Sequence, residues 1–280
     1  MSSGIHQTES QYIHGASPVE QQRLSMLNDL LNKACLKQMN LTTEGRILDV
    51  GSGLGQFTRL MAKSTLTPAY VIGIERSEEQ LTQARQFAEI DKEKHLVSFR
   101  QGDATMLPLK AEEWGHFDLV HSRFVLEHVP DPSLVVAQMV AACRPGGRVV
   151  VADDDHDIFR LYPESPGFHE LWTAYIRSYD RLGNDPFIGR RLVQLLQQAG
   201  LQNIRNTFIF FGDCSGNPTF EAFVDNIIGV INSAKEVILT NKLLAEVIFD
   251  QAIEALNLWK KRPDAALWYA MHWAEGLKSE

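Results

Sequence analysis

Arg46 to Thr58 read RILDVGSGLGQFT. Ile47, Leu48 and Val50 form a short apolar run ending at a turn, the pattern of a strand buried in a parallel sheet. Gly51, Gly53 and Gly55 follow at alternate positions, and Gln56 to Lys63 has the pattern of a helix start. Strand, glycine turn and helix make the first half of a nucleotide-binding βαβ unit. Glycines at such a turn let the backbone enter the left-handed region and let a ligand approach without a Cβ in the way. A tight strand-to-helix turn with no ligand is the bland alternative on these residues alone.

Spacing narrows the ligand. A dinucleotide fingerprint runs G-x-G-x-x-G, with the pyrophosphate on the helix N-terminus. Here Gly55 comes one residue early, and Gln56 occupies the place of the third glycine. Asp49, two positions before Gly51, is a poor neighbour for a pyrophosphate and a better one for a ligand with an ammonium group. The pattern D-x-G-x-G-x-G resembles the first motif of the class I S-adenosylmethionine (SAM) methyltransferases.

Working outward, Ala69–Ile74 reads as a second strand ending at Glu75. An acid at that tip is placed to accept hydrogen bonds from both ribose hydroxyls of a nucleotide. Arg76 could lie along an adenine face or simply face water, and Ser77 is a good N-cap for a helix over 78–90. A third strand, Leu96–Arg100, leads into Gln101-Gly102-Asp103-Ala104. The resemblance implies that Asp103 takes the adenine amino group while the backbone N–H of Ala104 meets a ring nitrogen. Asp103 also suits a plain turn or capping role.

A fourth strand, Phe117–Val120, runs into HSRFVLEHVPDP (His121–Pro132). This segment resembles its counterpart in small-molecule methyltransferases, which implies that Ser122 and Arg123 line the methionine arm and His128 supports the site. His121 and His128 are each candidate bases, although local packing is the commoner fate of such histidines. The N/D-P-P-aromatic tetrapeptide of nucleobase N-methyltransferases is absent. Asp131-Pro132 starts a crossover helix through Cys143. Arg144–Gly147 is expected as a turn and Arg148–Ala152 as the fifth strand, ending in DDDHD (Asp153–Asp157). Oxygen and imidazole groups there invite a metal reading, but acids that cap the next helix and face water are more frequent, and no metal is expected. Asp155 or His156 could instead act as a base or hold an amine substrate.

Phe159, Tyr162, Phe168, Trp172, Tyr175 and Tyr179 follow directly. Such a stripe is usually core, yet its place over the expected crevice suits the wall of an acceptor pocket. Asn184-Asp185-Pro186 is expected to start a helix ending at Gly200, followed by a sixth strand, Asn203–Phe211. Residues 218–260 read as two helices; on pattern alone 266–274 could be a helix, but the resemblance implies a last antiparallel strand there, and a strand is expected. Upstream, 18–39 is an amphipathic helix (Leu24, Leu27, Leu30, Leu31, Ala34). Before it, Tyr12-Ile13-His14-Gly15 is similar to the Y-x-x-G lid of many small-molecule methyltransferases, so Tyr12 is a candidate cofactor residue.

Bulk properties set the frame. The 280 residues carry a net charge of −8, and the longest basic run is Lys260-Lys261-Arg262, so a broad nucleic-acid surface is not expected. Cys35, Cys143 and Cys214 show neither disulfide nor zinc spacing. MSSGIHQTES lacks the apolar stretch of a signal peptide, and no apolar run has membrane-spanning length. The expected setting is the cytoplasm, with no membrane partner and with homodimerisation open.

The expected fold is α/β: a doubly wound, seven-stranded, mostly parallel sheet with an N-terminal helical cap and a helical insertion before the last strand. One methyltransferase domain spans 1–280, with a cap at 1–44, a SAM-binding core at 45–211, an insertion at 212–263 and the last strand and tail at 264–280. The activity expected is methyl transfer from SAM to an O, N or C nucleophile of a small molecule, leaving S-adenosylhomocysteine. Alternatives are a protein or RNA methyltransferase, a SAM-binding module without catalysis and, with least support, a NAD-dependent oxidoreductase.

Overall fold

The computed structural model describes residues 18–67 and 69–280, with backbone alone over 18–24. Tyr12 and the expected lid therefore lie outside the described residues.

Ten strands and nine α-helices occur among the described residues. The strands are β1 (Arg46–Val50), β2 (Tyr70–Glu75), β3 (Val97–Gln101), β4 (Phe117–Arg123), β5 (Cys143–Asp153), β6 (Arg160–Tyr162), β7 (Gln202–Phe210), β8 (Asp213–Cys214), β9 (Ala266–Trp268) and β10 (Ala270–Leu277). The helices are α1 (Pro18–Met39), α2 (Gln56–Ser64), α3 (Glu78–Ile90), α4 (Pro132–Ala142), α5 (Phe168–Asp180), α6 (Leu192–Gln198), α7 (Phe220–Ser233), α8 (Lys235–Thr240) and α9 (Glu246–Trp259). Seven strands form the main sheet in the order β3-β2-β1-β4-β5-β10-β7, with β10 antiparallel to both its neighbours. A second, three-stranded sheet runs β6-β9-β8.

Alternation along the strands explains the layers. Ile47, Val71, Leu119 and Val150 face one way and pack with α1, α2, α3, α5, α7 and α9. Their neighbours Leu48, Ile72, Val120 and Val149 face the other way, onto α4 and α6. Because both faces are covered, the strands read as nearly continuous apolar runs. The helix caps are equally local in origin: the Ser77 hydroxyl accepts from Gln80 N at 3.3 Å, and the Asp131 carboxylate from Leu134 N at 3.0 Å.

Four expectations are corrected. The 218–260 segment holds three helices, because the chain breaks after Ser233 and again at Asn241–Ala245. The last strand is divided at Tyr269: Ala266–Trp268 joins the small sheet, and only Ala270 onward enters the main one. Helix formation after Asp185-Pro186 begins at Ile188 with a 3₁₀ turn that leads into α6. Arg144–Gly147 lies within an irregular start of β5, where the pairing with β4 shifts between Phe117 and Leu119.

Candidate active site

The carboxyl ends of β1 to β4 converge on a cavity of about 410 Å³, within the usual range of about 300–1,000 Å³ for ligand pockets. Asp49, Gly51, Gly53, Glu75, Arg76, Asp103, Ala104, Arg123 and His128 all contribute to its wall. Gly51 has φ +77°, and a Cβ there would lie 2.1 Å from Val125 Cγ2, so both backbone conformation and space demand glycine. Gly55 lies outside the wall. As the left-handed residue before α2, with φ +70°, it sits under the Phe99 ring.

Glu75 curls back toward the glycine turn. Its Oε2 accepts from Gly53 N at 3.0 Å and its Oε1 from Ser77 N at 2.9 Å. Burial pushes this carboxyl above its ordinary range, against the opposing effect of those N–H groups. Asp103 Oδ1 accepts from the Thr105 backbone at 2.8 Å and from its hydroxyl at 2.6 Å, so the turn role is real and coexists with a place in the wall.

Asp49 is only 3% exposed, and both its oxygens are engaged inside the protein. Thr58 Oγ1–H donates to Oδ2 at 2.5 Å, and His121 Nδ1 meets Oδ1 at 2.7 Å. A proton on Nδ1 leaves His121 Nε2 as a buried acceptor without a hydrogen-bond partner. His121 itself lines the cavity and packs on Phe57, ring centroids 5.1 Å apart.

Consecutive residues of β4 point to opposite faces. Ser122, 1% exposed, is therefore turned away from the cavity, and its hydroxyl has no hydrogen-bond partner. Arg123 points to the cavity side and ties down α1. It donates to the side-chain oxygens of Asn28 and Asn32 (3.0 Å to the latter) and to Cys35 Sγ at 3.3 Å, and its guanidinium lies 4.6 Å from the centre of the Phe57 ring. Phe124, next along, has φ +57°, an uncommon state for a bulky residue.

Phe124 and His128 separate this cavity from a smaller one of about 50 Å³, and both line each of the two. Glu127, 4% exposed, lies between two imidazoles there, 3.3 Å from His128 Nε2 and 3.4 Å from His156 Nε2. Burial alone would raise the Glu127 carboxyl, but the two histidines hold it well below its ordinary range. Asp154 lines the same cavity, and burial together with the Glu127 charge pushes its carboxyl well up. His156 Nδ1 meets the Tyr269 hydroxyl at 2.5 Å. The expected aromatic stripe supplies the other walls: the rings of Trp172, Tyr175 and Tyr179 lie 5.1–5.6 Å from His156.

Asp155 reaches neither cavity. Arg190 grips it with two hydrogen bonds of 2.6 and 2.7 Å. Asp153 is consumed by the backbone N–H groups of Val125, Leu126 and Asp154. Among the described residues, no group of three or more His, Cys, Asp or Glu is arranged to hold a metal ion, and no helix is long and apolar enough to cross a membrane. Sequence reasoning missed Glu127, Asp154 and Tyr269. EHVP and DDDHD contain the first two, but nothing local signals that they meet.

Residues 48–151 match the family described as "Methyltransferase domain". An uncharacterized protein of a Streptomyces fradiae transposon is 36% identical over 155 residues, 55% of this chain and 42% of that protein, so the match spans less than half of that relative. The demethylmenaquinone methyltransferase of Lactiplantibacillus plantarum is 26% identical over 198 residues, 64% of this chain and 80% of that enzyme. In fold, the chain is similar to a Haemonchus contortus phosphoethanolamine N-methyltransferase solved with S-adenosylhomocysteine, with a TM-score of 0.53 and 19% identity over 92% of this chain and 52% of that one. A glycine turn on β1, an acid at the tip of β2 and a seven-stranded sheet with antiparallel β10 give the chain the fold of the class I SAM-dependent methyltransferases, and residues 48–151 match a methyltransferase domain.

Proposed function

We propose that the protein methylates a small molecule, with SAM in the larger cavity and the acceptor entering the smaller one. The observation that carries this reading is the convergence of four strand ends on one cavity whose wall combines a glycine turn, Glu75 and the Asp103–Ala104 turn. The fit to SAM rests on three features. The space at Gly51 is closed to any Cβ, Glu75 keeps acceptor capacity for ribose hydroxyls, and the volume suits a nucleoside with an amino-acid arm. Bound there, SAM supplies an electrophilic methyl group on a sulfonium.

The chain's own residues do the rest. Glu75, Asp103 and the Ala104 N–H orient the nucleoside, and Arg76 closes over it. Arg123 holds α1 against the site and so excludes water. Asp49 fixes the tautomer and orientation of His121 rather than meeting the ligand directly. Catalysis then consists chiefly of alignment, with a proton taken from the acceptor where its nucleophile carries one. His128 and His156 are the candidate bases, since both line the second cavity, and Asp155 is set aside because Arg190 holds it. The demethylmenaquinone methyltransferases among its relatives support a small-molecule acceptor. We take residues 1–280 as one methyltransferase domain.

Calorimetric titration with SAM, S-adenosylhomocysteine and NAD tests this reading. The first two are expected to bind and NAD is not; binding of NAD alone would overturn it.

A further inference from the structure

We propose that the group entering the second cavity is a small aliphatic ammonium, so that the methyl acceptor is an amine; this rests on the methyltransferase reading above. Three observations carry it. First, the walls are aromatic: Trp172, Tyr175, Tyr179 and Tyr269 surround the space, and ring faces attract cations that have left bulk water. Second, Asp154, 9% exposed, presents a buried Oδ1 with no hydrogen-bond partner, beside Glu127, whose Oε2 lies 3.4 Å from His156 Nε2. A buried acceptor of that kind is normally satisfied, and an N–H donor in the cavity is what Asp154 lacks. Third, among the described residues no lysine or arginine lines the cavity, so no resident cation of that kind takes the place of an ammonium guest.

Size narrows the class. About 50 Å³ holds a few water-sized groups, which suits an ammonium with one or two small substituents and is too little for a fused ring system. An acceptor that arrives as an ammonium first gives up a proton, for which His128 and His156, the candidate bases of this cavity, line the wall. In the transfer the N–CH3 bond forms as the S–CH3 bond breaks, the bonding pair stays on sulfur and the positive charge passes to nitrogen. No oxidant or reductant is needed.

The test is binding to the full chain saturated with S-adenosylhomocysteine, with isopropylamine, its neutral isostere isopropanol, and phenol as probes. Isopropylamine is expected to bind at least about tenfold more tightly than isopropanol. Asp154→Asn and, separately, Glu127→Gln are each expected to erase most of that preference while S-adenosylhomocysteine affinity stays unchanged. Equal binding of amine and alcohol, tighter binding of phenol, or a preference that survives both substitutions overturns the amine assignment and leaves the methyltransferase reading intact. Failure of S-adenosylhomocysteine itself to bind overturns that reading, and this proposal with it. The wild-type comparison decides the matter even if a variant does not fold.

Discussion

At the scale of single residues, the site is held by carboxylates whose partners determine what each can do. Asp49 carries the sequence signature most visibly, yet Thr58 and His121 occupy both its oxygens. Glu75 differs: each oxygen accepts one backbone N–H, which positions the group and leaves lone pairs for a ligand. Glu75→Ala is therefore expected to weaken SAM binding by about 1–3 kcal/mol, read by calorimetry, and an unchanged affinity would remove Glu75 from the site. The sequence made Glu75 legible because its place depends only on strand and turn spacing. It left the Asp49–His121 pair hidden because those residues are 72 apart and meet only when β1 and β4 pair.

Among the elements, α1 matters most to function, because it closes the cavity from outside the sheet. It packs on α2 and α7, and Arg123 bonds Asn28, Asn32 and Cys35 along one of its faces. Lysine in that place keeps the charge but loses the planar fork. Arg123→Lys is expected to loosen α1 by about 1–3 kcal/mol, seen as roughly ten- to hundredfold faster hydrogen exchange at amides of residues 25–39. Unchanged exchange would show that α1 docks by apolar packing alone. The helix was legible from its 3.6-residue period and the strands of the main sheet from their apolar runs. The division of the last strand was not. No glycine or proline marks Tyr269, and it is tertiary bonding that turns the chain there, with Phe211 N donating to Tyr269 O at 2.9 Å and the Tyr269 hydroxyl held by His156.

Across the whole molecule, acids pull stability in opposite directions. The Arg100 fork holds the Glu113 carboxyl down at about 2, against an ordinary 4.5. Its stabilisation is fully present above pH 4.5 and is lost as pH falls from there toward 2. Asp153 and Asp154 act in the reverse sense: burial raises both, so their cost is absent below the ordinary 3.8 and grows as pH rises through their folded values. Chemical denaturation across this range is expected to show a loss of stability below pH 4.5 that Glu113→Gln flattens, by the order of 1 kcal/mol because Arg100 is partly in water. An acid limb as steep in the variant as in the wild type would assign it to other carboxylates.

Strand order has a further consequence for how the protein is made. Among the described residues β7 pairs only with β10, and β10 is also what joins β7 to β5. A ribosome releases β7 well before the strand that will carry it, so the nascent chain keeps an open edge on β5 while α7, α8 and α9 are still being synthesised. Hydrogen-bond closure of the sheet thus waits for β10, and until then the half-finished sheet is the part of this chain most exposed to aberrant strand pairing with a neighbour.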